Sequence, residues 1–258
     1  MGYKDKQVKE MNEALLEIES RFKSLLRGYL SYEFKNKTAK EYATHGLNRR
    51  LETMLQCIKN VFEHCPPDGT NIPSKNELNN ATIAIQAFIA NTAGALDNVA
   101  WVIAKENDVR DKEGLALDKS KISLFASKEI KQSCSIKFQK ELQKYGNWNK
   151  NLKDYRDTLM HRIPLYIPGY GVDPKNIDKY NEIEHRAQIA LYKDCDLDEY
   201  KRLMLEQDQY KYFSPIMLHS WNETEKKIWF LPQLIADFRT VLELAEKLLV
   251  ELKSNNGS

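Results

Sequence analysis

Ser74-Lys-Asn-Glu77 opens a segment that continues as Ala81-Thr-Ile-Ala-Ile-Gln-Ala-Phe-Ile-Ala-Asn-Thr-Ala-Gly-Ala-Leu-Asp-Asn-Val-Ala-Trp-Val-Ile-Ala104, and this segment settles the architecture. A serine followed three residues later by a glutamate is a capping box, in which each side chain takes up a free backbone N–H at a helix start. From Ala81 to Ala104 the only charged residue is Asp97, accompanied by Gln86, Asn91 and Asn98. The length suits a membrane span. Those polar groups, and alanine where Leu, Ile or Val would dominate, favour instead a central helix packed on all sides. The small residues Ala90, Ala93, Gly94 and Ala95 predict close approach by a neighbouring backbone, in a bundle core or at a dimer seam. Asp97 predicts a partner, because a buried unpaired carboxylate is costly, and Arg156 and Lys153 are the natural candidates beside a local cap or water.

Helical spacing extends outward from this segment in both directions. Met11, Leu15, Ile18, Phe22, Leu25 and Tyr29 recur at intervals of three and four, predicting a helix over residues 8–34. Tyr42, Leu47, Leu51, Leu55, Ile58 and Phe62 repeat the pattern as far as His64, where Pro66-Pro67-Asp68-Gly69 ends it. Arg49 and Arg50 read as solvent-facing, and His45 as a surface or cap residue. On the other side, residues 105–118 form a charged linker, and residues 119–145 read as one or two helices. Gly146-Asn147 reads as a helix C-terminus. The next helix starts near Trp148, with Leu152, Tyr155, Leu159 and Met160 as its apolar positions.

Two prolines and two glycines between Ile163 and Val172 exclude a helix and predict an extended crossover over the preceding helix end, its tyrosines bordering a cleft or serving packing alone. Residues 178–209 return to helical spacing with many acids, and His185-Arg186 reads as a solvated pair. Residues 213–220 and 227–231, on either side of a polar turn, are the only β signal, and Leu234 to Leu252 give a long last helix. Residues 254–258 read as a disordered tail. The fold class is therefore mainly α: an up-and-down helical bundle with a small β-hairpin before the C-terminal helix. One domain is expected, with its core over residues 74–164 and 232–253, additional N-terminal helices over 8–64, and an insert at 165–231.

A chain of 258 residues with 42% hydrophobic content builds a proper core. The formal charge of +2 is unevenly distributed, since residues 119–162 carry eleven Lys or Arg against four Asp or Glu. That basic stretch suits a polyanion such as RNA, or else forms a solvated lysine face. Cys57, Cys65, Cys134 and Cys195 show neither a Cys-x-x-Cys pair nor regular spacing, and read as reduced cytosolic thiols. His64 beside Cys65 has no second pair at zinc-like spacing, so neither metal nor cofactor is expected. The charged start of the chain lacks the apolar core of a signal peptide. No repeat and no phosphate-binding glycine motif is present.

Chemistry concentrates in Asn151-Leu-Lys-Asp-Tyr-Arg-Asp-Thr-Leu-Met-His-Arg162. Asp157 and His161 lie four apart and share a helix face, while Arg156 points roughly 140° away from the histidine. Pro164 disfavours helix at Ile163, which leaves His161 in a last turn, where the helix dipole and Asp157 both favour imidazolium. The bland reading is a basic residue capping free carbonyls, with Arg156 paired to a neighbouring acid.

Arg156-Asp157-x-x-x-His161 resembles the Arg-x4–6-His motif of the HEPN (higher eukaryotes and prokaryotes nucleotide-binding) superfamily, and the resemblance covers residues 74–164. It implies a homodimer whose motif helices face each other, with Arg156, Asp157 and His161 as the functional residues. It further implies metal-independent endoribonuclease activity in a cytoplasmic toxin or phage-defence setting, or else non-catalytic binding of RNA or a nucleotide, or a regulatory helical dimer. The insert and the N-terminal helices depart from the superfamily's minimal bundle.

Overall fold

Apolar stripes on four long helices can be hidden from water only against one another, and a computed structural model describing residues 2–220 and 227–256 places them so. The first helix, α1 (Asp5–Leu30), buries Met11, Ile18, Phe22, Leu25 and Tyr29. A single turn, α2 (Lys37–Glu41), is started by Asn36, whose side-chain oxygen accepts from the N–H groups of Thr38 and Ala39. It passes through a π-helical turn, Tyr42–Leu47, into α3 (Asn48–His64). The capping box forms as the sequence predicts: Ser74 N–H donates to Glu77 Oε2 at 2.7 Å, Glu77 N–H donates to Ser74 Oγ at 3.3 Å, and α4 runs Lys75–Glu106.

Between α4 and the last helix the chain is more broken than its periodicity suggests. Residues 119–145 form a 3-10 turn (Lys119–Lys121) and two short helices, α5 (Lys128–Gln132) and α6 (Ile136–Lys144). Ser127 and Ser135 account for the restarts, since each hydroxyl accepts a backbone N–H three residues on and so begins a new helix. Gly146, expected to end a helix, opens α7 (Gly146–His161) instead; its φ is not positive, so it lacks the left-handed geometry of a C-terminal glycine.

The insert holds a helical hairpin, α8 (Ile177–Tyr192) and α9 (Leu197–Asp208), with Ile183, Ala187, Ala190 and Leu203 as its own small core. An antiparallel ribbon closes its base, β1 (Gly171–Val172) against β2 (Lys211–Tyr212). This second β element was not anticipated, because two-residue strands are too short to show alternation. The expected hairpin is formed by β3 (Ile216–Met217) and β4 (Ile228–Trp229), with Ile216 opposite Trp229; its turn, residues 221–226, lies outside the described residues. The last helix, α10, runs Phe230–Asn256, so part of the segment read as a disordered tail is helical, while residues 257–258 lie outside the described residues.

The protein is thus mainly α, an up-and-down bundle with a small β-hairpin before the C-terminal helix. Its core lies among α1, α3, α4 and α10, where Ile18, Leu51, Phe88 and Phe238 are fully or almost fully buried. The N-terminal helices, placed beside the core in the sequence reading, are full members of it. Tyr29 and Tyr32 tie α1 and its C-terminal end to α10 through hydroxyls donated to Ala245 O at 2.7 Å and Leu252 O at 3.0 Å. Helix α4 is long and apolar enough to cross a membrane, but 61% of its apolar window is buried within this bundle. Beyond its exposed first turns, what it presents to solvent is a narrow stripe seven residues apart: Ile83, Ala90 and Asp97.

Of the small residues of α4, Ala95 is fully buried in the bundle core, and Gly94 makes room of another kind. At Gly94 the neighbour is a side chain, not a backbone: a Cβ there would lie 2.4 Å from Cζ of Arg50. Arg50, read from sequence as solvent-facing, lies across the glycine and donates from Nε to Asn98 Oδ1 at 2.9 Å and from Nη1 to Asn91 Oδ1 at 3.2 Å. Asn98 is 8% exposed, so the guanidinium supplies a bond that a buried amide oxygen needs.

Candidate functional site

Helix α7 ends at His161, as the proline three residues later predicts, and the N–H of Arg162 closes the last turn on Thr158 O at 2.9 Å. The imidazole of His161 is exposed, and among the described residues no hydrogen bond holds it. Asp157 lies one turn earlier on the same face. Its carboxyl is held below the usual carboxylate range, chiefly by hydrogen bonds from Arg156, with smaller contributions from the charges of Arg156, Lys153 and His161. Arg156 reaches around the helix and donates from both Nε (3.0 Å) and Nη2 (2.6 Å) to Asp157 Oδ1. The structure therefore brings Arg156 and Asp157 into direct contact, and His161 near Asp157 without a hydrogen bond.

Asp97 takes no hydrogen bond from Arg156 or Lys153. It stands on the exposed stripe of α4, where crowding raises its carboxyl pKa while the nearby charges of Arg156 and Arg50 pull it down. The two acids thus compete for Arg156, and the adjacent one wins because Asp157 needs no helix–helix gap to be bridged. Met160, read as a core position, is 62% exposed; with Ile163 at 47% it leaves an apolar rim on either side of His161. All four cysteines are free: Cys57, Cys65 and Cys134 are buried, and burial pushes the first up to about 11 and the other two up to about 12. Among the described residues, no cluster of three or more His, Cys, Asp or Glu is placed to hold a metal ion.

A cleft of about 750 Å³ lies between α7, α10 and the β3–β4 hairpin, on the flank of α7 that carries Trp148, Leu152 and Tyr155. Trp148, Leu152 and Tyr155 form one wall, and Met217, Ile228 and Trp229 of the hairpin form another. Two polar groups reach into this apolar setting. His219, 3% exposed, is fixed by Nδ1 against Ile163 O at 2.9 Å and packs its ring 5.2 Å from that of Tyr155; its Nε2 is buried without a partner. Asp237 of α10 accepts on Oδ1 from Trp148 Nε1 at 2.8 Å and Gln233 Nε2 at 2.9 Å. Sequence reading missed both residues. Their signals were small: a histidine closing an apolar strand-like run, and a Gln-Asp pair four apart on an otherwise apolar helix.

Burial pushes the Asp237 carboxyl above its ordinary pKa, against the two hydrogen bonds that lower it. A carboxyl with a raised folded-state pKa holds its proton more tightly when folded. Its favourable contribution is full below the unfolded value of about 3.9 and is lost as pH rises through the folded value. Asp237→Asn cannot ionise yet keeps an oxygen for both donors. Its stability relative to the wild type should therefore increase between acid and neutral pH. Urea denaturation of both proteins at pH 4 and pH 7 checks this, and a pH-independent difference would count against it.

Comparison of the chain with protein-family models, with curated proteins and with solved structures gave no match. The functional reading therefore rests on the geometry of the exposed end of α7 and of the cleft beside it.

Proposed function

We propose that this chain is a HEPN-like, metal-independent endoribonuclease that acts in the cytoplasm as a homodimer, with Arg156, Asp157 and His161 from each copy meeting in one cleft. The observation that carries the reading is His161: an exposed imidazole with no hydrogen-bond partner among the described residues, in the last turn of α7 and one turn from Asp157, whose carboxylate the Arg156 guanidinium holds. An imidazole can take the proton of an RNA 2′-hydroxyl or return one to the leaving oxygen. Arg156 suits the charge that develops on the phosphorus, because its planar fork pairs two phosphate oxygens at once. Asp157 orients the imidazole and holds the arginine until phosphate displaces it.

One histidine per chain serves as acid or base but not both, so the reaction needs a second copy. The apolar rim of Met160 and Ile163, and the exposed Ile83–Ala90–Asp97 stripe of α4 beside Arg156, are suited to that contact. The basic stretch of residues 119–162 leads into the same helix and attracts the polyanion.

A second reading, non-catalytic binding of RNA or a nucleotide, is favoured by one observation: both Arg156 bonds are spent on Asp157. Incubating the purified protein with total RNA in EDTA separates the two, with fragmentation expected. Cleavage that requires added metal rejects the mechanism, and salt-dependent binding without cleavage supports the second reading. Light scattering at micromolar concentration should report a dimer; a stable monomer removes the composite site.

A further inference from the structure

The cleft on the inner face of α7 has features of a ligand site that is separate from the exposed motif. The imidazole of His219 fixes its own tautomer. Ile163 O can only accept, so Nδ1 must carry the hydrogen, and in the neutral ring Nε2 is then a bare acceptor. That acceptor is buried and unpartnered, on a side chain that is 3% exposed and forms part of the cleft wall. A buried acceptor left empty is costly, and cleft-lining groups of this kind are satisfied by a bound molecule or by water. Asp237 makes the same demand from α10. Both of its hydrogen bonds fall on Oδ1, so Oδ2 has acceptor capacity to spare.

Two polar groups that line the cleft from different elements, His219 and Asp237, therefore both call for hydrogen-bond donors. Of the charged residues bordering the cleft, Asp154 and the only lysine among its described walls, Lys227, are both exposed, which leaves Asp237 as the charged group set deeper in the wall. Asn151, Thr158 and Gln233 add uncharged polar groups, and the rest of the lining is apolar and aromatic, with the indoles of Trp148 and Trp229 and the phenol of Tyr155. Aromatic faces attract cations and accommodate flat apolar bodies. Apolar walls with a few convergent polar groups are the usual make-up of a small-molecule pocket, and about 750 Å³ lies within the range of such pockets.

We propose that this cleft binds a small organic amine, its N–H donors taken up by His219 Nε2 and the Asp237 carboxylate and its apolar body lying against Trp148, Tyr155 and Trp229. An organic anion is disfavoured, because it would bring acceptors to two acceptors. The residues of the proposed ribonuclease activity, Arg156, Asp157 and His161, are not among those that line the cleft.

The test pairs amines with carboxylates of matching shape: tryptamine, phenethylamine and benzylamine against indole-3-acetate, phenylacetate and benzoate. The full chain is titrated with each, following binding heat by calorimetry and the His219 ring nitrogens by NMR. At least one amine should bind with a Kd of about 1 mM or tighter and move the His219 Nε2 resonance, while its carboxylate partner does neither. Asp237→Asn, which keeps both internal hydrogen bonds, should weaken that amine about tenfold or more. His219→Asn should weaken it similarly, with circular dichroism reporting whether the variant folds. Failure of all three amines overturns the proposal, as does equal binding of amine and carboxylate or an unmoved His219 resonance. The wild-type comparison decides the matter even if a variant fails to fold.

Discussion

His161→Ala should lose about 10²–10⁴-fold in RNA cleavage rate while keeping the melting temperature of the wild type. The imidazole is exposed, makes no hydrogen bond among the described residues and buries no core surface, so its removal takes away a proton-transfer group and little else. Arg156→Ala should cost a similar factor through lost charge stabilisation. Arg156→Lys should fall between, because the ammonium keeps the charge but not the two-point fork. The lysine variant distinguishes the roles: an arginine serving only to neutralise Asp157 could be replaced by lysine without kinetic loss. EDTA should leave the wild-type rate unchanged. Wild-type rates in both alanine variants would remove the motif from the chemistry.

Gly94→Ala should destabilise the wild type by about 1–2 kcal/mol, yet stabilise an Arg50→Ala background by about 1 kcal/mol. The reversal follows from two opposing effects. In mid-helix, alanine is favoured over glycine because it loses less backbone freedom on folding. In the wild type, however, the new methyl would sit where Arg50 lies, 2.4 Å from Cζ. Moving a flexible guanidinium aside is easy in itself. The loss comes from breaking its bonds to Asn91 and Asn98, the latter buried and left with an unsatisfied oxygen. With Arg50 gone, only the propensity gain remains. Urea denaturation of the four proteins in this cycle measures the coupling, and a Gly94→Ala effect of the same sign in both backgrounds would show that the close approach is energetically idle.

The fold was legible where side-chain periodicity and capping agree. Ser74 and Glu77 announce α4, and the apolar stripes of α1, α3 and α10 need each other for burial. The errors cluster where a single residue decides between continuing and restarting a helix. Ser127 and Ser135 each start a new helix through one hydroxyl, and Gly146 admits either role because glycine is compatible with both a helix start and a helix end. The β1–β2 ribbon is held by backbone bonds over two residues per strand, which leaves no side-chain pattern to read.

Local chain geometry determined the placement of the motif. Four-residue spacing put Asp157 and His161 on one face of α7, and Pro164 set the helix end, because both depend only on neighbouring residues. Whether those residues point to solvent or to the core was a tertiary decision: Met160 is apolar yet exposed, and Arg50 is charged yet laid across a glycine. The inner cleft is wholly tertiary. His219 lies 58 residues beyond His161 in the sequence, and Asp237 lies on yet another element; only the packing of the hairpin and α10 against α7 brings them to one pocket. Spacing along a chain records which residues share a face, but which face is covered, and by what, depends on contacts between elements distant in sequence.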